Sequence, residues 1–226
     1  MIITREKHHF HNSIKFLDAI LCESLKRTGV KFFVAGGYFV SHFCQQSVRD
    51  IDFFFETHED FEKAYTVVKG LPQYQVTLDN DWVVNILVRD KHKMQFVKKF
   101  NYDHVNKLFD AFDFTICKFA YDGINCYYPL NYFQHVVERR LIIEGNPRYP
   151  LAVIKRALKY SKRGFTFEDT YLKDTLKAIN STSINFQDPD QTGVVFYEDS
   201  SESLNAIKPE DYDNTSSQSE DDFLPF

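Results

Sequence analysis

A chain of 226 residues, 43% hydrophobic and 16% aromatic, has apolar surface for one ordinary domain or a compact two-lobed unit. It has no apolar run near the roughly 20 residues a membrane-spanning helix needs and no apolar leader after Met1. Cys22, Cys44, Cys117 and Cys126 lack CxxC spacing and read as reduced thiols of a cytoplasmic protein without structural zinc. The net charge of −5 is uneven: from Gln187 onward eleven acidic residues face the single Lys208, leaving the preceding body about +5, a balance that attracts phosphates.

Apolar positions at helical spacing (Phe10, Ile14, Leu17, Ile20, Leu21, Leu25) predict an opening helix over 7–27. Lys31-Phe32-Phe33-Val34-Ala35 reads as a buried strand halted by Gly36-Gly37, followed by a short helix over 38–45. A strand over 51–55 and a helix over 59–69, stopped at Gly70, come next. Strands are expected over 74–78, 82–88 and 94–98, then a helix over 103–109. A strand over 114–121 turns at Asp122-Gly123 into another over 124–128, a hairpin signal. Beyond Pro129 the pattern turns helical over 133–143, 150–163 and 167–179. From about Ser181 the Ser-, Asn- and Asp-rich sequence predicts little fixed structure.

The chemistry-bearing feature is Arg49-Asp50-Ile51-Asp52-Phe53. Residues two apart on a strand share a face, so Asp50 and Asp52 project together while Ile51, Phe53 and Phe55 face the core. Paired carboxylates in apolar surroundings repel, and one takes up a proton unless a cation neutralises them. Mg²⁺, held by one or two carboxylates plus substrate phosphates, meets that need. Gly36-Gly37 after a strand lets backbone N–H groups approach a triphosphate closely.

Gly-Gly, a short helix and Arg-Asp-Ile-Asp-Phe together resemble the signature of polymerase-β-like nucleotidyltransferases. Phe112-Asp113-Phe114-Thr115-Ile116-Cys117-Lys118-Phe119-Ala120-Tyr121-Asp122 is similar to the Arg-Arg-Asp-Phe-Thr-Ile-Asn-Ala-x-Ala-Tyr-Asp motif of bacterial tRNA nucleotidyltransferases and poly(A) polymerases. Arg156-Ala157-Leu158-Lys159-Tyr160, then Gly164-Phe165, looks like their neck helix. The resemblance spans about 30–170. It implies an α+β fold: a mixed-sheet head over 1–128 with helices on one side and a helical neck over 129–180; the composition adds a disordered acidic tail over 181–226. It further implies Asp50 and Asp52 as ligands of Mg²⁺ or Mn²⁺, and Asp113 at the ribose of the incoming NTP. Gly36, Gly37, Arg49, Arg156 and Lys159 would bind nucleotide, with Lys159, Lys162 and Arg163 open to either triphosphate or RNA backbone. Departures are visible: Ala111-Phe112 replaces the double arginine, Tyr149-Pro150-Leu151-Ala152 replaces Asp-Pro-x-Arg, and the strand placed to supply a third acid offers Gln95.

The end, Glu220-Asp221-Asp222-Phe223-Leu224-Pro225-Phe226, resembles the tip of bacterial single-stranded-DNA-binding proteins. Leu224, Pro225 and Phe226 would fill an apolar pocket on a replication or repair protein, while Asp221 and Asp222 steer encounter with a basic rim. Folding of the tail onto the chain's own basic helix is the alternative. The expected activity is NMP transfer from an NTP to an acceptor, an RNA 3′ end ahead of a protein side chain or small molecule. The competing expectation is a catalytically weak or inactive interaction protein of the same fold, encoded by a virus of bacteria.

Overall fold

The computed structural model describes residues 3–7, 19–48, 50–88, 92–144 and 150–167, together with 173 and 177. Its centre is Asp50–Phe55 (β3), antiparallel to Phe32–Ala35 (β2) on one side and parallel to His92–Asn101 (β6) on the other. Val83–Val88 (β5) and Tyr74–Asp79 (β4) extend the sheet beyond β6. Ala120–Tyr121 (β7), Asn125–Pro129 (β8) and Ile3–Lys7 (β1) extend it beyond β2. The strand order is β1-β8-β7-β2-β3-β6-β5-β4, a mixed sheet as expected.

Alternation along β3 decides where the core sits. Ile51, Phe53 and Phe55 are almost fully buried on one face, under Ala19–Arg27 (α1), Gly37–Phe43 (α2) and His58–Lys69 (α3). Rings meet at steep angles through this layer: Phe53 and Phe55 lie 5.3 and 5.1 Å from Phe96, and Phe55 lies 5.7 Å from Phe61. α3 starts on a reciprocal cap. Thr57 accepts from the Asp60 backbone N–H at 3.1 Å and donates its hydroxyl to Asp60 at 2.7 Å. Asp60 in turn accepts from the Lys31 N–H at 3.1 Å, tying the helix start to the strand entering the site.

Four expectations are corrected. The opening helix does not begin at Lys7, because Ile3–Lys7 is an edge strand against β8; helix is present from Ala19, and 8–18 lie outside the described residues. The strand over 114–121 is interrupted. Phe114 makes one bridge to Ile143, and Thr115–Cys117 form a 3-10 turn. There Thr115 is claimed by tertiary partners, its N–H bonding the Ile142 carbonyl at 2.9 Å and its hydroxyl meeting His135 at 2.7 Å. The helix over 133–143 is shorter: Tyr132–Val137 (α5) ends where Arg139 turns to φ 52, and Arg140–Leu141 (β9) pairs in parallel with Thr166–Phe167 (β10). Helices also flank both faces. Val105–Asp110 (α4) covers Phe54, Ala35 and Ala120 on the face opposite α1–α3. Pro150–Ser161 (α6) joins the main core through Val153, Ala157 and Tyr160. The helix over 167–179 and the acidic tail lie outside the described residues, apart from 173 and 177 and the Phe167 strand position.

Candidate active site

The face of β3 carrying Asp50 and Asp52 bears a polar row where the other face bears phenylalanines. In-register partners place Ala120, Ala35, Asp52, Gln95 and Asn85 side by side across β7, β2, β3, β6 and β5. Lys93 stands opposite Asp50. Below them Phe54 is sealed by α4, so the acids sit at the rim of an apolar layer. Asp50 is half-buried; Asp52 is only 8% exposed, and its Oδ1 is buried without a hydrogen-bond partner among the described residues. Burial first, and the charge of Asp50 second, raise the Asp52 pKa to about 7, opposed by Lys159 and Lys93.

Gly36 makes this crowding possible. It caps α2 at φ 90, ψ −148, a conformation that L side chains avoid. A Cβ there would lie 3.2 Å from Asp52 Oδ2 and 3.8 Å from the Phe112 ring. The chain thus passes from β2 into α2 with bare backbone against the carboxylate. An uncompensated oxygen on a buried, repelled carboxylate fits a hard divalent cation, whose preferred donors are carboxylate oxygens. Among the described residues no group of three or more His, Cys, Asp and Glu side chains is placed to hold a metal. A cation here would use Asp50 and Asp52, with waters or substrate oxygens completing its shell.

Helix α6 closes the site from the side of α2. Arg156 on α6 forms an ion pair with Asp113, whose side chain is only 7% exposed. Burial still raises the Asp113 pKa, against the lowering effect of Arg156. Lys159, one turn further along α6, is exposed and close enough for its charge to act on Asp52. The next residue, Tyr160, turns inward. Its hydroxyl lies 3.1 Å from where a Gly37 Cβ would be and 3.2 Å from Cys117 Sγ. Gly37 therefore makes room for α6.

Of the residues singled out from sequence, Asp50, Asp52 and Gly36 converge at one point, Lys159 faces it, and Asp113 and Arg156 engage each other. Arg163 does not present itself to phosphate. Its Nε donates to Gln46 at 2.7 Å and its Nη2 to Ser41 at 2.9 Å, pinning the end of α6 to α2. Arg49 and the Asp221, Asp222, Leu224, Pro225 and Phe226 tip lie outside the described residues. Lys93 and Asn85 were not singled out. Alternation along 92–98 puts Lys93 and Gln95 on one face, but only the register with β3 shows which face that is.

Comparison with known proteins yields two findings. The fold is shared with CCA-adding enzymes. A CCA-adding enzyme in complex with ATP superposes with TM-score 0.62 at 14% identity, covering 85% of this chain and 50% of that one. The Thermotoga maritima CCA-adding enzyme complexed with tRNA gives 0.58 at 16% identity, covering 80% and 46%. In sequence, the chain is 22% identical over 186 residues to Gabija anti-defense 2 of Bacillus phage SPbetaL7. That alignment covers 80% of this chain and 45% of the relative, so the chain spans less than half the relative's length. The model of the Gabija anti-defense 2 family matches residues 5–139, from the edge strand through the carboxylate pair and Asp113 to the end of α5. By that match, the chain belongs to the Gabija anti-defense 2 family.

Proposed function

We propose that this chain is a Mg²⁺- or Mn²⁺-dependent nucleotidyltransferase that moves an NMP from an NTP to an acceptor, the acceptor being an RNA 3′ end. One observation carries the reading: Asp52 is buried beside Asp50 with an oxygen that finds no hydrogen-bond partner among the described residues, against a glycine that leaves the backbone bare. Asp50 and Asp52 would hold the metal, which when bound would lower the pKa of the acceptor hydroxyl and neutralise charge on the departing pyrophosphate. Gly36 offers its backbone to the triphosphate without a side chain intervening. Lys93 and Lys159 flank the carboxylates and draw phosphate oxygens toward them. Asp113, held by Arg156, is the ribose-side acid. The division into a catalytic head over 1–128, a neck over 129–180 and a tail over 181–226 belongs to the same reading.

Calorimetric titration tests it. The full chain is expected to bind Mg²⁺ and at least one NTP, and the Asp50→Ala, Asp52→Ala double variant neither. A wild-type chain that binds no metal and no nucleotide sinks the enzymatic reading.

A second reading is favoured by kinship with a phage protein named for anti-defense activity. In it the chain blunts a bacterial Gabija defence through protein contacts, with the Asp221–Phe226 tip docking on a replication or repair factor. Plating phage on Gabija-bearing cells that express the variants separates the two. Protection lost in the double aspartate variant and kept without residues 221–226 favours catalysis; the reverse favours docking.

A further inference from the structure

We infer that the segment 220–226, Glu220-Asp221-Asp222-Phe223-Leu224-Pro225-Phe226, docks on the outer face of α6 and covers the lysines that border the carboxylate pair. That face carries Lys155, Leu158, Lys159 and Lys162, all exposed, at the i, i+3, i+4, i+7 spacing of a single helical stripe. Lys162 belongs to it because its N–H continues the helical turn to the Leu158 carbonyl at 3.1 Å. No acid occurs over 150–164. Other surface lysines are answered by acids: Lys31 by Glu56 at 3.0 Å, Lys63 by Glu59 at 2.8 Å and Lys107 by Asp103 at 2.7 Å. Among the described residues, Lys155, Lys159 and Lys162 have no ion-pair acid.

Two properties of the stripe choose its occupant. An uncompensated row of positive charge draws a polyanion, and RNA backbone meets that demand as well as carboxylates do. Leu158 does not suit RNA. It is 60% exposed in the middle of the row, where a phosphate backbone has nothing apolar to cover it. The segment supplies both chemistries, acids at 220–222 and apolar side chains at 223, 224 and 226. Dimensions agree: from Lys155 to Lys162 the helix rises about 10 Å, and four extended residues span about the same. Exposed ion pairs are individually weak, so docking needs a high local concentration, and the chain provides it. A random chain of the 52 residues between Phe167 and Glu220 spans about 40 Å, which keeps the segment near α6 at an effective concentration on the order of a millimolar. Docked there, it covers Lys159, whose charge acts on Asp52, and competes with any anionic substrate approaching the carboxylates. The docking stands on the stripe alone; the competition rests on the nucleotidyltransferase reading of the acids.

Paramagnetic relaxation in the full, isotope-labelled chain reads the docking without any activity, so the enzymatic reading can fail while the docking stands. Cys22, Cys117 and Cys126 are buried, so with Cys44→Ser a spin label on Ser219→Cys reports from the segment alone. Amide signals over 155–162 are expected to lose about half their intensity or more, while those of β4, at the far edge of the sheet, keep theirs. Lys155→Glu with Lys162→Glu should abolish the pattern, and adding Glu220→Lys with Asp222→Lys should restore it. Leu158→Ser should roughly halve it. Uniform broadening, broadening centred on the exposed Leu130 and Val137, or a pattern indifferent to the charge reversals overturns the docking. An unbroadened α6 whose amides shift on adding oligouridylate assigns the stripe to RNA and overturns it too. So does equal broadening between separate chains in a mixture of spin-labelled and isotope-labelled protein, which would place the segment on a second copy. Should the lysine variant fail to fold, Glu220→Lys with Asp222→Lys in the otherwise unchanged chain decides alone, and broadening retained there overturns the proposal.

Discussion

At neutral pH, Asp52 is caught between two costs: ionising in a buried place beside Asp50, or carrying a proton that leaves it useless as a ligand. Its pKa rises from 3.8 to about 7 on folding, mainly through burial. A carboxyl group raised in this way favours the folded state most below its unfolded pKa, and that contribution is lost as pH climbs from about 4 through about 7. Asp52→Asn removes the charge that causes the loss. In metal-free buffer, urea denaturation is therefore expected to find Asp52→Asn more stable than wild type at pH 8, by at most about 4 kcal/mol, with the difference gone near pH 4. Added Mg²⁺ should narrow the gap at pH 8 by stabilising only the wild type. Equal stability of the two proteins at pH 8 without metal contradicts the buried, repelled state of Asp52. Gly36→Ala tests the neighbouring backbone. A Cβ at φ +90 costs about 1–2 kcal/mol in conformation alone and pushes on Asp52 Oδ2, so nucleotide affinity should fall together with the melting temperature.

Among the elements, α6 decides whether Lys159 faces the carboxylates, and three contacts fix it: Asp113 with Arg156, Tyr160 over Gly37, and Arg163 on Ser41 and Gln46. Removing Arg156 leaves Asp113 buried with its principal cation gone, so Arg156→Ala is expected to cost about 3 kcal/mol. Asp113→Asn leaves only the more exposed Arg156 without its carboxylate and should cost less. The double variant should then be less damaging than the sum of the two. Additive losses in a urea-denaturation cycle would mean that the pair does not couple. The core behind the acids is equally exposed to test: Phe96→Ala, whose ring meets both Phe53 and Phe55, is expected to cost about 3–5 kcal/mol.

How far these elements could be read from sequence follows from their physics. β2, α2, β3 and α3 were legible because period and punctuation agree: an apolar run ends at Gly36-Gly37, and Thr57 and Gly70 bracket α3. The convergence of Asp50, Asp52 and Gly36 was legible because a strand fixes its own alternation. The segment 114–121 was not, since its β-like residues are diverted by His135 and the Ile142 carbonyl, partners some 20 residues or more away in sequence. Nor was the edge strand Ile3–Lys7, whose identity depends on β8 being there to pair with it. Gln95 was visible as a missing acid, but its bond to Asn85 depends on strand register, which local composition does not encode.

For the whole molecule, the charge division sets how substrates arrive. The body up to Phe186 is about +5 within a chain of net −5, and Lys93 and Lys159 bring positive charge to the carboxylates. RNA binding by the body should therefore weaken steeply as salt rises, and a chain cut after Phe186 should bind at least as tightly as the full one. Tighter RNA binding by the full chain would show that the acidic segment contributes contacts of its own. Kinship with a phage anti-defense protein and a nucleotidyltransferase fold meet in one claim, that the carboxylate pair performs nucleotidyl transfer. It is tested most directly by incubating the full chain with Mg²⁺, host RNA and each α-labelled NTP in turn, beside the Asp50→Ala, Asp52→Ala variant. Label entering RNA from at least one NTP, reduced by about a hundredfold or more in the variant, is the expected result. Transfer by the variant at the wild-type rate, or no label from any NTP with the wild type, would contradict it.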